Sequence, residues 1–251
     1  MSSNDPRYSR HVLLTGIGRE GQDAIGRGTA VVVGLGGLGS TASILLARAG
    51  VGTLRLVDPD LVDMTNMQRQ ALYDEADARN HTPKAAAAQK HLREVNSGVR
   101  YEVMVEALEA SNAERIVRGA TVVVDGLDNF RGRDVLNKAC VRLGIPWILG
   151  ACVSTHGTVT AIVPGETPCY SCIVPDAATR SAPYTSATVG VFAPAVFTVA
   201  SLQAAEALKV LSGRMDALLK NQMLWIDLWD STFRTFAIGR NPDCPVCAHY
   251  R

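Results

Sequence analysis

The sequence predicts an α/β protein: a mostly parallel β-sheet with helices on both faces, continued by antiparallel strands in the C-terminal half. Three observations predict it. The apolar run 30–33 breaks into Gly34, Gly36, Gly37 and Gly39, four glycines within six residues, and an Ala- and Leu-rich stretch closing on Gly50 follows. Further strand-length apolar runs, 53–57 and 121–125, are separated by segments of helical length, as expected for strands buried on both faces. Beyond Gly157 the runs 159–163, 224–228 and 232–238 are joined through turns, an antiparallel pattern. Strand, tight turn, helix and strand in that order make a doubly wound, Rossmann-like unit. We divide one domain into a nucleotide-binding half, 1–150, and a second half, 151–251, that holds the paired cysteines.

Composition narrows the function. The chain of 251 residues can bury a sizeable core, and 25 basic against 24 acidic residues leave no excess charge to favour nucleic acid or an anionic membrane. The N-terminus is polar and lacks the apolar core of a secretion signal, so a cytoplasmic location is expected. The longest oily stretch, 187–211, is broken by Gly190, Pro194, Ser201, Gln203, Glu206 and Lys209 and predicts a buried helix, not a membrane span.

The segment 7–28 predicts one or two helices, or else a solvated polar arm. The glycine loop then lets phosphate oxygens approach backbone amides at a helix start, where the dipole favours negative charge. Asp58, ending the 53–57 run, lies at the spacing where such folds place an acid for ribose hydroxyls. The loop after it is dense in amides, acids and one arginine, and Asn66, Arg69 and Gln70 are candidates to meet a polyphosphate, with ordinary turn chemistry as the alternative. Pro83 and Lys84 open a helix, since proline at a first turn loses no hydrogen bond. Runs 99–105 and 111–117 predict a strand and a short helix. Strand 121–125 ends on Asp125 and is followed by Asp128 and Asn129. Two acids three apart suit one magnesium ion beside a triphosphate, while Asp125 could instead be a turn or helix-capping residue, the commoner fate of aspartate near a strand end. A helix over 131–143 and a strand at 147–149 complete this half.

Cys169 with Cys172 and Cys244 with Cys247 form two C-x-x-C pairs, and together they complete a tetrahedral thiolate set for a structural zinc. The 71 residues between Cys172 and Cys244 mean that the fold, not a short loop, must join them. A redox pair or plain buried thiols are the alternatives; Cys140 and Cys152 suit the core, and His249 is a lesser candidate ligand.

Taken together, these motifs resemble the adenylyltransferases that activate ubiquitin-like sulfur-carrier proteins, the MoeB/ThiF/HesA group related to ubiquitin-activating enzymes. The resemblance spans residues 7 to 247. The family's Arg-Tyr-x-Arg falls on Arg7 to Arg10, its glycine loop on Gly34 to Gly39, its ribose acid on Asp58 and its Asn-x-x-Arg-Gln on Asn66, Arg69 and Gln70. Its Pro-Lys falls on Lys84, its Asp-x-x-Asp-Asn on Asp125, Asp128 and Asn129, and its zinc ligands on the four cysteines. The resemblance implies ATP, Mg2+ linked to Asp128, a structural Zn2+, and a homodimer in which Arg10 reaches the neighbouring subunit's site. It implies that a carrier's C-terminal Gly-Gly carboxylate attacks the α-phosphate of ATP, releasing pyrophosphate, for molybdopterin or thiamine biosynthesis or tRNA thiolation. Some relatives carry a cysteine where this chain has Ser186, so no covalent enzyme–carrier link is expected. The chain leaves no room for an appended sulfurtransferase domain, so a separate sulfur donor is expected. Two rival classes share parts of the pattern. An NAD-dependent oxidoreductase would use the glycine loop and Asp58, and a non-catalytic nucleotide-binding scaffold would keep the fold without the reaction.

Overall fold

The computed structural model describes residues 3–177, 179 and 186–249. Two short helices, α1 (Ser9–Val12) and α2 (Gly18–Ile25), precede β1 (Thr29–Val33), α3 (Gly37–Ala49) and β2 (Thr53–Val57). There follow α4 (Glu75–Arg79), α5 (Lys84–Val95), β3 (Arg100–Met104), α6 (Ala113–Val117), β4 (Val122–Asp125) and α7 (Phe130–Leu143). The second half comprises β5 (Trp147–Val153), β6 (His156–Ile162), α8 (Tyr170–Ile173), α9 (Ser186–Val189), α10 (Ala193–Leu211), β7 (Gln222–Asp227) and β8 (Thr232–Ala237).

All eight strands form one sheet in the order β3-β2-β1-β4-β5-β6-β7-β8. The first five pair in parallel and the rest are antiparallel, so the second half extends the first sheet. The pleat sends alternate side chains to opposite faces, and two cores result. Ala30, Val32, Leu54, Leu56 and Val124 pack with α3, α5 and α10 on one face. Val31, Val33, Val57 and Val123 pack with α6 and α7 on the other. Strands buried on both sides need no polar alternation, which is why these runs are almost wholly apolar.

Helix ends follow local chemistry. Asn129 caps α7, its Oδ1 accepting the Gly132 amide at 2.7 Å, and Gly144 closes the helix in the left-handed region (φ 67°). Asp74 and Asp77 form a capping box on α4, an element that its short polar sequence did not announce. The N-terminal segment is not a solvated arm. Tyr8 is buried, its ring lies against Gly50, and its hydroxyl accepts the Asn96 side-chain amide at 3.0 Å. α10 is long and apolar enough by composition to cross a membrane, but its buried residues join the core beside β4, β5 and β6.

Strand order reverses between β1 and β4, the neighbours from which the chain departs in opposite directions, and their C-terminal ends open a crevice there. The helix start at that point tolerates no side chain at Gly39, whose Cβ would lie 1.8 Å from the Gly34 carbonyl oxygen. A Cβ on Gly36 would meet nothing nearer than the Gln70 side chain at 3.8 Å. Gly39→Ala should therefore cost more than about 2 kcal/mol of stability and Gly36→Ala less than about 1, read as urea midpoints.

Candidate functional site

The crevice is floored by backbone. Gly34 has a positive φ of 87°, and a Cβ there would come within 2.5 Å of the Gly126 carbonyl oxygen. A Cβ on Gly126 would in turn lie 2.0 Å from the Gly34 carbonyl oxygen, so the loops leaving β1 and β4 touch main chain to main chain. Gly37 admits α10 and the 66–70 loop, its Cβ position being 2.7 Å from Val196 Cγ1 and 3.2 Å from the Arg69 carbonyl oxygen. The first helical bond of α3 runs from the Ser40 amide to the Gly36 carbonyl, leaving the amides of 37–39 at the helix mouth.

Asp58 locks this loop. Its Oδ2 accepts the Leu35 amide at 2.6 Å and its Oδ1 the Asp60 amide at 2.8 Å, while the Tyr73 hydroxyl donates to the Leu35 carbonyl at 2.8 Å. Burial pushes the Asp58 carboxyl above the ordinary carboxylate range, with the Lys84 charge pulling the other way. Lys84 is the first residue of α5 and only 6% exposed, with its Nζ 2.8 Å from Asp60 Oδ2 and its amide donating to the Asp60 carbonyl. The loop 59–62 is thereby tied to the start of α5, which places the lysine beside the acid at the end of β2.

In the next loop Gln70 is buried, and its Nε2 donates to Asn66 Oδ1 at 3.0 Å. Its Oε1 is buried without a hydrogen-bond partner among the described residues. Arg69, half-buried, donates to the Thr65 carbonyl at 3.2 Å and lies over Gly37.

The acid pair at the end of β4 requires a correction. Asp125 does not face the crevice with Asp128, and the two do not form one metal-binding pair. Its carboxylate is fully buried, with Oδ2 accepting Arg133 Nε at 2.7 Å and Oδ1 accepting the Leu127 amide at 2.9 Å. Burial raises its pKa against the pull of the guanidinium. Asp128 is exposed, with Oδ1 accepting Asn129 Nδ2 at 3.2 Å, and Asn129 itself serves as the α7 cap. Arg10 is exposed on α1 and makes no ion pair among the described residues. Ser186 opens α9, and its side chain lies outside the described residues.

The four predicted thiols converge. Cys169 and Cys244 sulfurs are 3.6 Å apart, Cys172 and Cys247 3.5 Å, and Cys169 and Cys172 3.9 Å, all four lying within 4.8 Å of one another. A tetrahedral zinc with sulfur ligands has edges of about 3.8 Å, so the donor set fits that ion. Asn137 on α7 braces the knuckle, accepting the Tyr170 amide at 3.0 Å and donating to Ser171 Oγ at 3.1 Å. His249 is not part of the group.

The ThiF family profile matches residues 8–246. The chain belongs to the ThiF family. It is 39% identical over 245 residues to the sulfur carrier protein ThiS adenylyltransferase of Bacillus subtilis, covering 96% of this chain and 71% of that protein. It is 41% identical over 241 residues to the SAMP-activating enzyme E1 of Haloferax volcanii, covering 96% and 88%. Among solved structures, that of Escherichia coli MccB with ATP superposes with a TM-score of 0.84 at 26% identity, covering 99% of this chain and 76% of that one. The ThiF-family fold thus accounts for the mixed sheet and for the loops gathered at its crevice.

Sequence reasoning missed Arg133, Gln203, Tyr73 and Asp60. Arg133 carried one signal, a charge at helical spacing from Leu136, Asn137 and Cys140 on the buried face of α7. The polar contacts separate loop-holding acids from exposed ones. Asp58→Ala leaves two amides without their acceptor and should lower stability by about 1–3 kcal/mol, whereas Asp128→Ala should stay within about 0.5 kcal/mol, both by denaturant titration.

Proposed function

We propose that this ThiF-family chain is an ATP-dependent adenylyltransferase that activates the C-terminal Gly-Gly carboxylate of a ubiquitin-like sulfur-carrier protein. The observation that carries this reading is the gathering, around one crevice, of the α3 mouth, Asp58, Lys84, the 66–70 loop and the exposed Asp128. Amides at the α3 mouth suit phosphate oxygens, and Asp58 suits ribose hydroxyls. A carboxylate oxygen attacks the α-phosphorus, forming a new O–P bond and so a mixed acyl–AMP anhydride, as the bond from the α-phosphorus to the α–β bridging oxygen breaks and pyrophosphate leaves. No proton need move. Both reactants are anionic, so the site's work is to cancel charge and hold the attacking oxygen in line. Lys84 and Arg69 supply charge within the chain, and Arg10 would do so across a homodimer. Asp128, an exposed carboxylate at a strand exit, suits magnesium, which when bound would neutralise triphosphate charge. The four thiolates would hold a structural zinc, with no open position for catalysis.

Exposed Trp229 lies in the turn between β7 and β8 and exposed Phe233 at the start of β8, with Phe192 packed edge-on against Trp229. The turn lies on the same sheet edge as the crevice, because β7 ends where β5 ends. These residues offer the apolar surface for the carrier's folded body, its tail running along the sheet edge toward Asp128. The product adenylate would then be consumed by a separate sulfur donor, in thiamine or molybdopterin biosynthesis or tRNA thiolation, in the cytoplasm.

Isotope exchange between pyrophosphate and ATP should appear on adding a Gly-Gly-ended carrier, with no spectral change on adding NADH. Asp128→Ala, Arg69→Ala and Lys84→Ala should each reduce the exchange by about a hundredfold or more. Exchange that persists in Asp128→Ala would remove the reading. Trp229→Ala should raise the carrier KM by about tenfold while leaving the ATP KM unchanged, as truncation of an interface aromatic does. Metal analysis should find one zinc per chain, lost in the Cys244→Ala, Cys247→Ala double variant together with a lowered Tm.

A further inference from the structure

We infer that Arg133 and Gln203, two buried side chains, are positioning residues that hold the Asp128 loop in its working place; this rests on the adenylylation reading. The loop from Gly126 to Asn129 has no regular structure of its own, yet Asp128 must project from a fixed point. Three contacts fix the residues before it. The Arg133 fork binds Asp125 Oδ2 through Nε at 2.7 Å, and its Nη2 binds the Leu127 carbonyl at 2.5 Å and the Gly150 carbonyl at 2.9 Å. Gln203, fully buried on α10, donates from Nε2 to the Asp125 carbonyl at 2.8 Å and the Ile148 carbonyl at 3.2 Å. The third contact is the main-chain abutment of Gly126 on Gly34.

The two side chains act where the sheet itself stops helping. β4 and β5 pair only at Val123 with Trp147 and Val124 with Ile148, and beyond this the strands are no longer laddered. Gln203 enters at that point. Gly150 makes room for it, since a Cβ there would lie 2.2 Å from Gln203 Cδ. Arg133 spans the same gap one layer further on, joining Leu127 on the β4 side to Gly150 on the β5 side. Between them they replace ladder bonds with side-chain bonds, and the chain leaves β4 along a path set by α7 and α10.

The price in stability differs between the two, and that difference supplies a test. Gln203 Oε1 is buried without a hydrogen-bond partner among the described residues. Exchanging the amide for a thioether of similar length removes that orphan but leaves the Asp125 and Ile148 carbonyls without this donor, so Gln203→Met should lower Tm by only a few degrees. A purely structural glutamine would leave kcat alone. A positioning one should show a kcat for carrier-stimulated pyrophosphate exchange about tenfold lower and a half-saturating Mg2+ concentration several-fold higher, with the ATP Kd within about threefold. Arg133→Lys retains the charge beside Asp125 but loses the planar fork, and should give the same kinetic signature.

Asp128→Asn, assayed beside them, separates this inference from the reading beneath it. If Asp128→Asn abolishes exchange while Gln203→Met and Arg133→Lys turn over like the wild type, the positioning role is overturned and the adenylylation reading stands. If Asp128→Asn exchanges normally, the reading itself fails. A fall in Tm and ATP affinity in proportion to kcat in both variants also overturns the role, because it marks support of the fold alone.

Discussion

The contact on which the site depends is the abutment of Gly34 and Gly126. Each would place a Cβ inside the other's carbonyl group, and each leads out of one of the two strands where the sheet reverses direction. Because the main chains meet there, the start of α3 and the loop carrying Asp128 share one position in space. Asp58 and Tyr73 then fix Leu35 from the β2 side, through its amide and its carbonyl. The α3 mouth, Asp58 and Asp128, supplied by separate strands, are thus referred to one pair of turns.

Much of this was legible in the chain, and the failures share a cause. The glycine loop could be read because its requirement is local: a strand, a turn and a helix must fit within ten residues, and only glycine permits the approach. The thiol pairs could be read because two cysteines three apart carry their purpose in their spacing, even though 71 residues separate the pairs. Asp125 was misplaced because an aspartate at a strand end looks the same whether it faces a crevice or a guanidinium. What decides it is Arg133, whose orientation depends on how α7 docks. Gln203 was invisible for a stronger reason, since its partner Asp125 lies 78 residues away and nothing near Gln203 hints at it. Tyr8 is the same case, buried by Gly50 and Asn96, neither of which is its neighbour in the chain.

The second half contributes more than a surface for a partner. Arg133 and Asn137 stand one turn apart on α7, the first holding the β4 exit loop and the second holding the Tyr170 amide beside Cys169. One helix therefore joins the β4 exit loop to the thiol cluster. The Cys244 and Cys247 pair closes that cluster from the far end of the chain, so the C-terminal segment is fastened to the body at the same helix. Such an arrangement lets a small set of polar side chains transmit rigidity between elements that do not pair in the sheet.

Cations near the crevice divide by what already neutralises them, and this division assigns their work. Arg133, 9% exposed at its side chain, is enclosed with the fully buried Asp125, its charge matched one to one, so it adds almost nothing to the field felt by an incoming anion. A buried pair of this kind is seldom a net source of stability compared with apolar residues, and its value lies in direction: a planar fork aims at three acceptors at once. Lys84 is tied to Asp60, a carboxylate still 63% exposed, so its partner is partly answered by water and the lysine keeps charge to offer. Among the described residues the Arg69 side chain hydrogen-bonds to the Thr65 carbonyl alone, which leaves its charge without a carboxylate partner there. The order of available positive charge is thus Arg69, Lys84, Arg133. On the proposed adenylylation, substituting Arg133 would act on geometry, whereas substituting Arg69 or Lys84 would act on the electrostatics of a reaction between two anions.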